Sequence, residues 1–132
     1  MQSRRLALSL VLAASTLAAG GCFLVAAGAG AAGAVAYTNR GATSVVAGTV
    51  DQVFDRSAAA FQQAGITETG RTTENSGRER KLIGTKGEYE VTAELHRSTD
   101  STTKVEITAR KSAVEYDKEM AKDILTRLLT TH

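Results

Sequence analysis

Two stretches of this chain alternate too strictly to be anything but strand. In Tyr89-Glu90-Val91-Thr92-Ala93-Glu94-Leu95 each apolar residue is followed by a polar one, and Lys104–Arg110 repeats the pattern with Val105, Ile107 and Ala109. Successive side chains on a strand point to opposite faces, so both runs carry one apolar face and one wet face. Sheets built this way are antiparallel, and their apolar face must be covered by something else in the chain.

Two segments have the helical period needed for that cover. Thr49-Val50-Asp51-Gln52 reads as a capping box, and Val50, Val53, Phe54, Ser57, Ala58, Phe61 and Ala64 then recur on one face until Gly65. Ser112-Ala113-Val114-Glu115 reads as a second capping box, with Glu115 and Asp117 in the first turn, Arg127 near the end and an Asp123/Arg127 pair at i,i+4. The buried stripe of this second helix is Met120, Ala121, Ile124, Leu125, Leu128 and Leu129. Three further strands are expected: "ATSVVAG" before the first helix, then "ITETGRT" and "RERKLIGT" separated by the turn "TENSG". The expected fold is α+β and two-layered, an antiparallel sheet of four to five strands covered on one face by two helices in the order β-α-β-β-β-β-α, over residues 42–132. A unit of this size buries a modest fraction of its surface and has no room for a deep cleft.

The N-terminal third is of a different kind. "MQSRR" carries two positive charges, "LALSLVLAASTLAA" is apolar or small throughout, and Gly20-Gly21 precedes Cys22, the only cysteine. This is the n-region, h-region and small-residue cleavage pattern of an export signal. Ala19-Gly20-Gly21-Cys22 reads as a lipobox, with cleavage between Gly21 and Cys22 and lipid carried on the Cys22 thiol. Ala19 stands where Leu or Val is usual, and the competing reading is a transmembrane helix from Leu6 to Tyr37. Beyond Cys22, residues 23–36 are apolar or Gly, but as a helix they reach only about 21 Å against a ~30 Å hydrocarbon core. Gly28, Gly30 and Gly33 suit either a membrane-hugging, self-associating segment or a flexible tether. The expected divisions are a signal peptide at 1–21, a lipidated Cys and tether at 22–41, and the folded domain from 42.

The lipobox Cys22, the Ala/Gly tract ending "GAVAY", the unit "SVVAGTVDQVFDRSAAAFQQAGI" and the unit "TTKVEITARKSAVEYDKEMAKDILTRL" together resemble a family of small bacterial lipoproteins catalogued as a domain of unknown function. The chain differs from that pattern in carrying Tyr116 before Asp117, where a Gly is common. The resemblance implies an exported, lipid-anchored α+β domain and brings no catalytic residues with it. Phe23 after the lipidated Cys, in place of an Asp, points to the outer membrane facing the periplasm over the inner membrane.

Composition excludes several function classes. Arg4 and Arg5 account for the whole formal excess of +2, so the chain from Cys22 onward has balanced side-chain charge and no long-range pull on polyanions; nucleic acid is not an expected partner. There is no Trp, and only three Tyr and three Phe, too few for a base-stacking platform. One Cys with His96 and His132 gives no metal-ligand spacing, and neither metal nor cofactor is expected. His96, at a strand end beside Glu94, reads as surface, as do Glu88, Glu90 and Glu94 on an open face with little desolvation to split their pKa values. Arg71, Arg78, Arg80, Lys81 and Lys86 read as a charged, protected hairpin edge. The leading expectation is a non-enzymatic structural or interaction module, anchored to the membrane through Cys22 and open to a protein partner. A membrane-associated oligomer assembled through the Ala/Gly tract is the second reading, and an enzyme or small-ligand binder the third.

Overall fold

The computed structural model describes residues 33–131. Residues 1–32, which hold the segment read as a signal peptide, Cys22 and most of the Ala/Gly tract, lie outside the described residues. Within them the fold is α+β, one six-stranded antiparallel sheet in the order β1-β2-β6-β5-β4-β3. The strands are β1 (Ala36–Tyr37), β2 (Gly41–Ala47), β3 (Thr67–Glu74), β4 (Glu79–Lys86), β5 (Tyr89–Arg97) and β6 (Thr102–Arg110). Two helices, α1 (Val50–Gln63) and α2 (Lys118–Thr130), cover one face.

The alternation expected for β5 and β6 is what the structure has. Val91, Ala93, Leu95, Val105, Ile107 and Ala109 are fully buried against the helices. The capping box of α1 is also present: the Thr49 hydroxyl accepts from the Gln52 amide at 3.3 Å, and the Gln52 side chain accepts from the Thr49 amide at 3.0 Å. Buried within the same helix, the Ser57 hydroxyl is satisfied by donating to the Val53 carbonyl at 2.8 Å. Gly84 of β4 lies under α1, where a Cβ would come within 2.5 Å of Ile66 Cγ2 and 2.8 Å of the Thr67 carbonyl oxygen, so only glycine lets that chain crossing close.

The second helix begins later than its sequence suggests. Ser112 caps no helix; its hydroxyl accepts from the Glu115 amide at 3.2 Å inside a turn, and Lys111 N–H donates to the Glu115 carbonyl at 3.0 Å. The true N-cap is Asp117, whose carboxylate accepts from the Met120 amide at 2.8 Å, and the first-turn acid is Glu119. The reason is that Tyr116 bridges to Arg110 in antiparallel pairing and the Asp117 amide donates to the Ala109 carbonyl. Residues 111–117 are therefore tied to the end of β6 and cannot wind into helix. Once α2 starts, its stripe of Ala121, Ile124, Leu125, Leu128 and Leu129 is buried as expected, with Met120 half-buried at its margin.

The sheet exceeds the expected four to five strands because β1 lies inside the segment read as tether. Ala36 and Tyr37 pair with Thr43 and Ala42, so Asn39–Gly41 belongs to a hairpin. The Tyr37 hydroxyl donates to Glu119 at 2.8 Å and pins this edge to α2, while the Lys122 ammonium lies 5.4 Å from the same ring. Gly33 packs against β2, where a Cβ would strike the Val45 carbonyl and come within 2.5 Å of the Ser44 hydroxyl.

Candidate functional site

The wet face of the sheet is where exposed chemistry collects, and its layout follows from register. Cross-strand partners place Glu90 beside Arg110, Thr92 beside Thr108, and Glu94 beside Glu106 on β5 and β6. On the other side of β5, Ile83 meets Thr92 and Lys81 meets Glu94. Three parallel rows thus cross the strands. The middle row, Ile83-Thr92-Thr108-Gly41, has short side chains or none, and the flanking rows carry the long ones. The result is a trough of ≈ 270 Å³ running across β4, β5 and β6, with Arg40 and Tyr116 at its β2 end. Tyr116 reaches it because its bridge to Arg110 continues the lane that β2 has left.

Within the walls most charges are spoken for. Arg110 Nη2 lies 2.7 Å from Glu90 Oε1, and Lys81 Nζ lies 2.7 Å from Glu94 Oε1. The Glu94 hydrogen bond holds the Lys81 ammonium above its ordinary pKa. Two groups remain: among the described residues neither Glu106, half-buried and directly opposite Glu94, nor Arg40 has an ion-pair partner. A second depression of ≈ 180 Å³ shares the Lys81–Glu94 pair as its rim and extends past Thr72 and Glu79 to His96.

Residues singled out from sequence are distributed as follows. Glu90 and Glu94 stand on the wet face, and Glu88 sits in the β4–β5 turn paired with Lys111 at 3.0 Å. His96 is exposed, its Nδ1 3.7 Å from Glu79 and so beyond hydrogen-bond range; its cross-strand neighbours are Glu79 and Lys104. The basic cluster does not form one edge. Lys81 faces water, while Arg80 points to the helix side, its guanidinium 3.7 Å above the Phe54 ring and hydrogen-bonded to Asp51 at 2.7 Å. Arg71 approaches the same ring at 5.4 Å and clasps Glu68, whose carboxyl it holds below the usual range. Alternation alone could have signalled the Arg80 side, since it lies two residues before buried Leu82. Glu106 and Arg40 carry no local signal, because only the register sets Glu106 opposite Glu94 and only the folded hairpin brings Arg40 to the same trough.

Gly21 and Cys22 lie outside the described residues, as does His132. Among the described residues, no group of three or more His, Cys, Asp or Glu is placed to hold a metal ion, and no helix is long and apolar enough to cross a membrane. A comparison with curated proteins finds no match to the chain. A family model does match, over residues 5–128, which takes in most of the apolar N-terminal stretch, the β1–β2 hairpin, the trough and nearly all of α2; the chain belongs to the family described as Protein of unknown function (DUF3568).

Proposed function

We propose that this chain is a lipid-anchored cell-envelope protein whose folded domain is a non-enzymatic structural or interaction module facing the periplasm. The observation that carries the reading is the run of charged, apolar and small residues that ends in Ala19-Gly20-Gly21-Cys22. It is supported by the spacing that follows. Ten residues lie between Cys22 and Gly33, the first described residue and one that packs on β2, so in this reading the domain is held close to the bilayer on a short lead. A wet face lined with paired charges and threonines suits contact with solvent or a protein partner, and the outer membrane is the expected destination because Phe23 follows Cys22.

The test is intact-mass and peptide mass spectrometry of the membrane fraction. The expected product begins at Cys22 and carries a diacylglycerol-type modification on its sulfur. Cys22→Ser should abolish that modification and leave an unprocessed precursor. A processed, membrane-bound Cys22→Ser chain, or wild-type chain with Met1 intact and no lipid, would overturn the reading in favour of a transmembrane anchor.

A further inference from the structure

We propose that the trough on the wet face binds a small zwitterion of the amino-acid or short-peptide kind, with its ammonium between Glu94 and Glu106 and its carboxylate on Arg40. The inference goes beyond the envelope role and does not depend on the anchor. Two carboxylates set directly opposite each other on neighbouring strands repel, and among the described residues Lys81, paired with Glu94, is the one cation within ion-pair distance of either. Both are half-buried, which makes their repulsion less screened than at an open surface. A second cation at Glu106 would relieve it. A simple amine would meet that need, but Arg40 lines the same trough with no ion-pair partner among the described residues, so a bare cation leaves one wall uncompensated. A ligand carrying both charges a few bonds apart satisfies both ends at once.

The floor fits the same class. Thr92 and Thr108 offer hydroxyls that donate or accept, Ile83 gives a small apolar patch, and Tyr116 closes one end with a ring and a phenol. At ≈ 270 Å³ the space is just under the ~300–1,000 Å³ of drug-sized ligand clefts. That suits a ligand of one to a few residues.

The experiment is an amide chemical-shift titration of the ¹⁵N-labelled full-length chain in detergent micelles with glycylglycine, to about 10 mM. Saturable shifts are expected at Thr92, Glu106 and Thr108. N-acetyl-glycylglycine and glycylglycine amide, each lacking one charge, should bind about tenfold more weakly. Glu106→Gln and Arg40→Gln should each weaken glycylglycine by a similar factor, while Lys86→Gln, at the β4–β5 turn, should leave it unchanged. Arg40 is exposed in a hairpin, so its variant tests the point even if Glu106→Gln perturbs the sheet. Absence of saturable shifts at these positions overturns the proposal. So does equal binding of the acetylated or amidated dipeptide, or an Arg40→Gln variant that binds as the wild type does.

Discussion

Beneath α2, Ile107, Leu125 and Leu128 are fully buried; along β3, at the other end of the same sheet, no residue is buried at all. The cover of the helices thins beyond β4, where only α1 still touches β3, and the margin of the core there is closed by charged side chains. Arg80 lays its guanidinium over Phe54 and Arg71 comes in behind it. Two helices of fourteen and thirteen residues cannot roof six strands, and a long amphipathic side chain is a workable substitute because its stem is apolar and its head can stay wet. The buried Nε of Arg80, which has no hydrogen-bond partner among the described residues, is the cost of that arrangement.

The contrast can be broken most severely at the covered end. Leu125→Ala should lower the stability of the domain by about 2–5 kcal/mol, read as a fall in the urea midpoint at unchanged slope, because the cavity lies between helix and sheet. At the open end, Arg80→Ala should cost less, about 1–2 kcal/mol, through loss of cover and of the cation–π contact. Arg80→Met should recover most of this loss. If it falls as far as the alanine variant, the Asp51 ion pair and not the cover of Phe54 sets the value of that residue. Asp117→Ala should cost about 1 kcal/mol as the loss of the α2 cap, measured by the same unfolding curve, whereas Ser112→Ala in the preceding turn should stay within about 0.5 kcal/mol. Glu90→Ala on the wet face should be the smallest, also within about 0.5 kcal/mol, since an exposed ion pair with Arg110 contributes little.

How far the sequence discloses this molecule depends on whether a signal is local. The strands β5 and β6 and the stripes of both helices are legible because a period of two or of 3.6 repeats within a few residues. The strand β1 is not, since two residues have no period and Ala36-Tyr37 continues an apolar tract that looks destined for a membrane. The start of α2 misleads because Ser112 and Glu115 have the spacing of a capping box, while what stops the helix is a pairing with Arg110 that spacing cannot express. For Arg80 the signals conflict: alternation with Leu82 puts it on the helix side, while its charge argues for an outward position until Phe54 is seen beneath it. For the trough, Glu94 is visible as a polar-face residue, but its opposition to Glu106 and the trough it shares with Arg40 exist only once three strands are in register.

That register has a consequence for the order in which the fold can close. The strands from β3 to β6 form a meander of neighbours, each joined to the next by a short connection, so their pairing is local and fast to find. The seam between β2 and β6 is another matter: Thr43 donates to the Val105 carbonyl across 62 residues of sequence. Closing a loop of that length carries an entropic cost that is returned only when the seam is formed. A chain read from its N-terminus therefore produces β2 and α1 first, yet β2 has only the two-residue β1 beside it until β6 arrives, and the stripe of α1 has no sheet to rest on. The domain is committed late, and the last thirty or so residues decide whether the first ones have anything to hold.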